Sequence, residues 1–418
     1  MLGRSNPTAL PVRMRRRSAK GKGIANALNT LGGVAFAQGS YDEAERLLQE
    51  SLTLRREVGD KRGIGGSLCN LGQLASYQGN YDEAERYCKE SLSIFREIGD
   101  KIFAANSLTA LGLVVSDRGN YDEAERHYKE AGAIFREIGN KNFMANALGN
   151  LGNVAHQRGK YDEAERYQKE SLAINRGIGN KHGIAMALNN LGEIAKERGN
   201  YDEAEQYHKE SLSIRREIGD KSGIGYSLWS LGDDARAKGD LDRARAYYIE
   251  GLKLQAEIGG KRSIASSLEG LAKWAVAAAG RGFKSSRVQG LKGEEDQDRS
   301  ADFSRPIDYK TRSRQGRDAT GKEKTRPTEV GATGAGLAAK LFGAAEALRK
   351  ATGAVIDPYF RAEYDQAVAT LRTLLDEATL TRLWAEGAAL PLDSAIELAL
   401  GQERSGIRDQ KPEIRDPL

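Results

Sequence analysis

Residues 79–101 read GNYDEAERYCKESLSIFREIGDK, and nearly the same words recur along the 418-residue chain. Tyr41, Tyr81, Tyr121, Tyr161 and Tyr201 stand 40 residues apart, Leu241 continues the series, and Ala44, Ala84, Ala124, Ala164, Ala204 and Ala244 keep step. A second mark, Leu-Gly, lies upstream of each: Leu31-Gly32, Leu71-Gly72, Leu111-Gly112, Leu151-Gly152, Leu191-Gly192 and Leu231-Gly232. A unit this short cannot bury enough apolar surface to offset its own ordering, so units in this pattern must share faces with their neighbours.

Each unit reads as two helices. In the first, Ile24, Leu28, Leu31 and Ala35 fall at steps of four, three and four, which places them on one side of an α-helix. Gly39 and its counterparts then suit the left-handed residue after a helix end. The second helix opens on Asp-Glu, as at Asp82-Glu83, and closes on basic residues such as Arg96, the polarity the helix dipole favours. Its inner stripe is Tyr81, Ala84, Tyr87, Cys88, Ser91, Leu92 and Ile94, with small Ala84 and Ser91 allowing close approach.

Leu-Gly, a small residue three positions after the glycine (Ala35, Ala75, Val115, Ala155, Ala195, Ala235), Gly before Tyr and the alanine of YDEAE resemble the tetratricopeptide repeat. The long unit is similar to that of kinesin light chains and many bacterial signalling proteins. The resemblance implies an all-α fold, a right-handed α-solenoid of helix-turn-helix repeats with a C-terminal helical cap. The expected organisation is a basic flexible tail over 1–22, six full units plus the first helix of a seventh over 23–279, a disordered insertion over 280–335, the cap over 336–401 and a flexible tail over 402–418. The frame weakens at Leu241-Asp-Arg-Ala-Arg, where tyrosine and glutamate are lost. LFGAAEALR, the AEY helix and WAEGAAL-PLDSAIELAL resemble the carboxyl-terminal end of bacterial multidomain regulators in which a nucleotide-binding ATPase module precedes such repeats. No GxxxxGK[ST] phosphate loop is present, and Gly331-Ala-Thr-Gly-Ala-Gly reads as linker.

The charge balance of +5 is mild for this length. No apolar run reaches the roughly 20 residues of a membrane helix, and the basic start lacks the apolar segment of a signal peptide, so a cytoplasmic location is expected. Cys69 and Cys88 show no metal spacing, and no cofactor or metal is expected. His127, His156, His182 and His208 do not cluster in sequence and read as solvated surface. Six similar Asp-Glu pairs at helix starts answer to the dipole, where one active site would not repeat. The expectation is a protein without enzymatic activity.

Binding has the better physical case. Comparing units within one chain separates scaffold positions, which stay fixed, from exposed positions that vary. In the repeats this chain resembles, first helices line a concave groove that meets an extended or helical peptide. The resemblance places Asn26, Asn29, Asn70, Asn106, Asn146, Asn150, Asn153, Asn189 and Asn190 there, and asparagine both donates to and accepts from a peptide backbone. Met186, Tyr226 and Trp229 offer apolar contacts of the kind that dominates binding energy. The competing reading is that asparagine simply suits a polar helix face and that Trp229 packs within the sixth unit.

The expected function is a protein-protein interaction scaffold, serving as the sensor part of a bacterial signalling or transcription-regulatory system, with a protein or peptide partner. The alternative is a nucleic-acid-binding solenoid using the basic amino terminus (Arg13, Arg15, Arg16, Arg17, Lys20, Lys22) and the insert as tethers. Against it, the groove positions are not predominantly basic.

Overall fold

Successive helices pair along the 40-residue frame. The computed structural model describes residues 12–37, 39–291, 329–352, 354, 356 and 358–401, and among them are 17 helices and no strand. The first helices of the units are α1 (Val12–Ala37), α3 (Lys61–Tyr77), α5 (Lys101–Asp117), α7 (Lys141–Gln157), α9 (Lys181–Glu197), α11 (Lys221–Ala237) and α13 (Lys261–Leu291). The second helices are α2 (Tyr41–Glu57), α4 (Tyr81–Glu97), α6 (Tyr121–Glu137), α8 (Tyr161–Ile178), α10 (Tyr201–Glu217), α12 (Leu241–Ile258) and α14 (Glu329–Thr352). Three more close the end: α15 (Pro358–Leu374), α16 (Glu377–Ala388) and α17 (Leu392–Leu400). The architecture is an all-α solenoid.

The turns follow from glycine. Gly79 has φ 81°, a conformation without penalty only for a residue lacking Cβ, and lets Asn80 N donate to Ala75 O at 2.8 Å and Gly79 N to Ser76 O at 3.0 Å. The same geometry recurs at each helix-to-helix turn through Gly259. Buried serines then tie helices together. Ser51 donates to Ala25 O at 2.8 Å, and Ser91, Ser171 and Ser211 make the equivalent bonds to Gly65, Ala145 and Ala185.

The Leu-Gly mark acquires a physical reason. Leu48, Cys88, Tyr128, Gln168, His208 and Tyr248 occupy one frame position on the second helices, and each lies directly against the glycine of its own unit, from Gly32 to Gly232. A Cβ on Gly72 would stand 2.5 Å from Cys88 Sγ, so the glycine makes room for a side chain of variable size. All six of these residues are buried.

Ion pairs link unit to unit, first from the start of a second helix to the end of the next unit's first helix. Asp82 pairs with Arg118 at 2.6 Å, Asp162 with Arg198 at 2.5 Å and Asp202 with Lys238 at 2.6 Å, with Asp122 and Arg158 matched the same way. A second ladder joins Arg56 to Glu90, Arg96 to Glu130, Arg176 to Glu210 and Arg216 to Glu250. The Asp-Glu pairs thus join neighbours as well as opening helices. Successive first helices, such as α3 with α5 and α11 with α13, touch each other more than successive second helices do, which puts the first helices on the inner side of the curve.

Both ends of the array depart from the expected bounds. α1 begins at Val12, so residues 12–22 are helical where a flexible tail was expected. The stripe proposed for α1 is also not uniformly covered: Leu31 is 54% exposed, whereas Leu71 at the same frame position is 2% exposed. The difference is the preceding second helix, since Leu71 and Leu74 share a cluster with Leu47 and Leu48 of α2. At the other end α13 continues past Gly280 to Leu291, and α14 starts at Glu329. Gly280 is not among the left-handed glycines, so nothing ends the helix there. The expected insertion between 292 and 328, and the tails over 1–11 and 402–418, lie outside the described residues.

α13 and α14 nevertheless pair as a seventh unit, with Ile264, Leu268, Leu271, Ala338, Phe342 and Ala345 in one buried cluster. α16 then crosses α14 at two glycines. A Cβ on Gly343 would stand 2.1 Å from Trp384 O, and one on Gly387 would stand 2.0 Å from Lys340 O. These are the glycines of LFGAAEALR and WAEGAAL.

Candidate partner-binding groove

The inner face divides into two halves of different chemistry. In units one to four its first-helix positions hold mostly asparagine, glutamine and small residues with no Asp, Glu, Lys or Arg, and charge enters only at the margins, where Arg55 reaches Asn26 and Asp117 reaches Ser76. Asn70 Nδ2 donates to Asn29 Oδ1 at 3.1 Å, and Asn190 Nδ2 to Asn153 Oδ1 at 2.9 Å, so some of the predicted asparagines link one unit to the next. Asn26 accepts from Arg55 Nη2 at 3.0 Å. Asn106, Asn146 and Asn150 make no side-chain hydrogen bond among the described residues, and Asn146 is exposed.

In units five to seven the face is charged. Glu193 and Lys196 of α9, Asp233 and Arg236 of α11 and Lys273 of α13 come together around Trp229. The Lys196 and Lys273 ammonium groups lie 5.9 and 5.4 Å from the Trp229 ring centroid, on a half-buried indole. Asp233 accepts from the Tyr248 hydroxyl. Burial opposes ionisation of Asp233, but Lys273, Arg236 and Lys196 outweigh it and hold its pKa below the usual carboxylate range. Glu193 is held low against burial by Lys196 and His208. For Asp234 burial prevails, and its pKa is raised.

The carboxyl-terminal cap reaches this charged half. Glu363 of α15 pairs with Arg236 through one oxygen and with Lys273 Nζ through the other at 2.8 Å. α15 is otherwise held to the cap, with Leu371 fully buried and Tyr364 edge-on to Phe342 at 5.2 Å between centroids.

Several predicted site residues sit differently from expectation. Asn189 is 1% exposed, with its carbonyl oxygen 3.4 Å from Ser227 Oγ, so its side chain is enclosed between units. Met186 and Tyr226 are 46% and 42% exposed on the groove, and Tyr226 lies 6.0 Å from Trp229 between ring centroids. His208 is corrected outright. It is fully buried, its Nδ1 2.6 Å from Asp234 Oδ2 and its Nε2 3.6 Å from Glu193 Oε1. His182 is exposed, while His127 and His156 are half-buried, and burial lowers the pKa of both. The charged neighbours of His208 in sequence make it look like surface, but the frame it shares with Leu48, Cys88 and Tyr128 marks a core column.

Stacked helix pairs with an inner groove define a helical-repeat binding scaffold. The tetratricopeptide repeat profile matches residues 23–84, 63–137 and 143–217, and the array belongs to that family. Such repeats act as protein-interaction scaffolds, and no catalytic family is indicated. No curated protein matches the chain. Among solved structures, a Signal Transduction ATPase with Numerous Domains (STAND) protein with a tetratricopeptide repeat sensor from Pyrococcus horikoshii is 15% identical with a TM-score of 0.50. That match covers 91% of this chain and 53% of that one, so the chain spans about half its length. BtubC (BKLC) from P. vanneervenii is 20% identical over 60% of this chain and 94% of its own, with a TM-score of 0.43. Aspartyl phosphate phosphatase F from Bacillus subtilis is 14% identical over 69% and 76%, with a TM-score of 0.47. No helix among the described residues is long and apolar enough to cross a membrane.

Proposed function

We propose that the chain is the partner-sensing part of a regulatory system, binding a protein segment along the uncharged half of its groove. The observation that carries this reading is the pair of unbonded amides at Asn106 and Asn146, at one frame position on α5 and α7, with Asn150 one helical turn further along α7. Amides spaced by one repeat can bond a peptide backbone irrespective of its side chains, and Met186 and Tyr226 add apolar contact at the edge. The sensing role rests on the likeness of the cap helices to the ends of ATPase-type regulators. The groove positions of units one to four hold no Lys or Arg, which argues against nucleic acid as the ligand there.

A photo-crosslinker at position 146, compared with one at Glu85 on the second-helix face, tests the reading. A partner crosslinked at 146 and not at 85, and lost in Asn106→Ala with Asn150→Ala, is the expected result. Equal labelling from both faces would overturn it.

A further inference from the structure

We infer that Arg236 and Lys273, beside Trp229, form a carboxylate-binding subsite, filled in this structure by Glu363 of α15, and that an acidic side chain on a partner helix takes Glu363's place. The inference deepens the groove reading and rests on it, since it supplies the chemistry of the partner at the groove's charged half.

The first-helix column that is Gly33, Gln73, Leu113 and Asn153 in the early units becomes Glu193, Asp233 and Lys273 in the later ones, and the column of Phe36, Ser76, Ser116 and His156 becomes Lys196 and Arg236. Within that set Asp233 and Arg236 lie on one helix with the nearest pair at 3.3 Å, and Glu193 holds Lys196 at 2.6 Å. Asp233 stands 3.9 Å from Lys273 Nζ, so the Lys273 ammonium has its close partner outside the array. That partner is Glu363, at 2.8 Å, which also reaches Arg236. A cation pair built by two repeat helices is thus completed by a carboxylate from an element that is not a repeat.

Accessibility distinguishes the ligand from its receptor. The Glu363 side chain is 39% exposed, while Lys273 is 4% and Arg236 18% exposed. The cations are fixed in the wall of the solenoid, and the carboxylate approaches from the open side. A cation pair so enclosed discriminates strongly for a charged over a neutral ligand, because removing the carboxylate leaves buried charge unmatched. α15 is a helix, which sets the occupant's form: a helix with one carboxylate directed at α11 and α13.

The test uses the full chain and a labelled synthetic peptide spanning residues 358–374, with fluorescence anisotropy as readout. Glu363→Lys in the chain removes the resident carboxylate and sets a third cation against Arg236 and Lys273, which leaves the subsite without its ligand. The labelled peptide should then bind at least tenfold more tightly than it binds the unaltered chain. A peptide with Gln in place of Glu363 should bind that same variant at least tenfold more weakly, as should the native peptide when Arg236→Ala is added. If Glu363→Lys disturbs folding, as circular dichroism would reveal, the isosteric Glu363→Gln chain serves instead, with an expected gain of at least threefold. Equal binding of Glu and Gln peptides, or no binding by either, overturns the proposal. Asn106→Ala and Asn150→Ala should leave this titration unchanged. Failure here would therefore leave the amide groove standing, whereas failure of the crosslinking test with success here would leave the carboxylate subsite but remove the partner helix assigned to it.

Discussion

A Cβ placed on Gly192 would stand 2.3 Å from His208 Nε2, closer than any side chain can tolerate without a shift. The relationship repeats in every complete unit and makes the glycine of Leu-Gly a packing requirement. Gly192→Ala should therefore destabilise the array by about 1–3 kcal/mol, the usual cost of overpacking. Gly33, next to the corresponding glycine of the first unit, meets nothing within 4 Å. Gly33→Ala should be neutral or stabilising by up to about 1 kcal/mol, because alanine favours the helix. Urea denaturation of both variants checks the pair, and an equal loss in the two would contradict the packing argument.

Asp233 gives the array a dependence on acid. Its folded pKa lies below the unfolded value of about 4, so the stability it contributes is fully present above that value and is lost as pH falls through the folded pKa. Glu193 acts in the same direction, and Asp234, whose pKa is raised, in the opposite one. Asp233→Asn should cost about 3–5 kcal/mol at pH 7, since it leaves Lys273, Arg236 and Lys196 short of a buried counter-charge. The variant should also lose less further stability than the native chain between neutral pH and pH 3. Parallel pH profiles from thermal melts would show that Asp233 does not carry the dependence.

The repeat frame was legible because packing imposes it: tyrosine, alanine and glycine return wherever two helices must meet at one distance. The unit boundaries, the paired helices and the inner face all follow from that. What was hidden lay at positions where the frame is constant and the chemistry is not. His208 sits among Tyr207, Lys209 and Glu210, which reads as solvent face, and only the column through Leu48, Cys88 and Tyr128 places it inside. Asn189 looked like its neighbours in the groove, yet its side chain is enclosed against Ser227. Glu363, the glutamate of the AEY helix, carried no signal of its pairing, because its partners are 127 and 90 residues away in sequence.

The exposed Leu31 and the buried Leu71 are a matched pair for measuring what a neighbouring unit contributes. Leu71→Ala should cost about 2–5 kcal/mol through lost burial and an unfilled cavity. Leu31→Ala removes the same atoms from a side chain still half in solvent, and a loss of less than about 1 kcal/mol is expected. Melting curves of the two variants decide the point, and comparable losses would mean that Leu31 is covered in solution.

The seventh unit makes the strongest claim on the chain's connectivity, because α13 and α14 pack together although residues 292–328 separate them. Their shared cluster includes Leu268, Leu271, Phe342 and Ala345, and Arg349 of α14 pairs with Glu269 of α13. If these contacts hold the pair, the covalent link is dispensable for cohesion once the chain has folded. A protease site engineered at residues 310–316 should therefore yield two fragments that co-elute in size exclusion and melt together. Phe342→Ala in the cut chain should separate them, since removing a buried aromatic costs about 3–5 kcal/mol. A cap fragment that elutes alone and folded would instead make the last helices an independent domain. In that case Glu363 could not be positioned by the cap over Arg236 and Lys273, and its place in the groove would fall with the seventh unit.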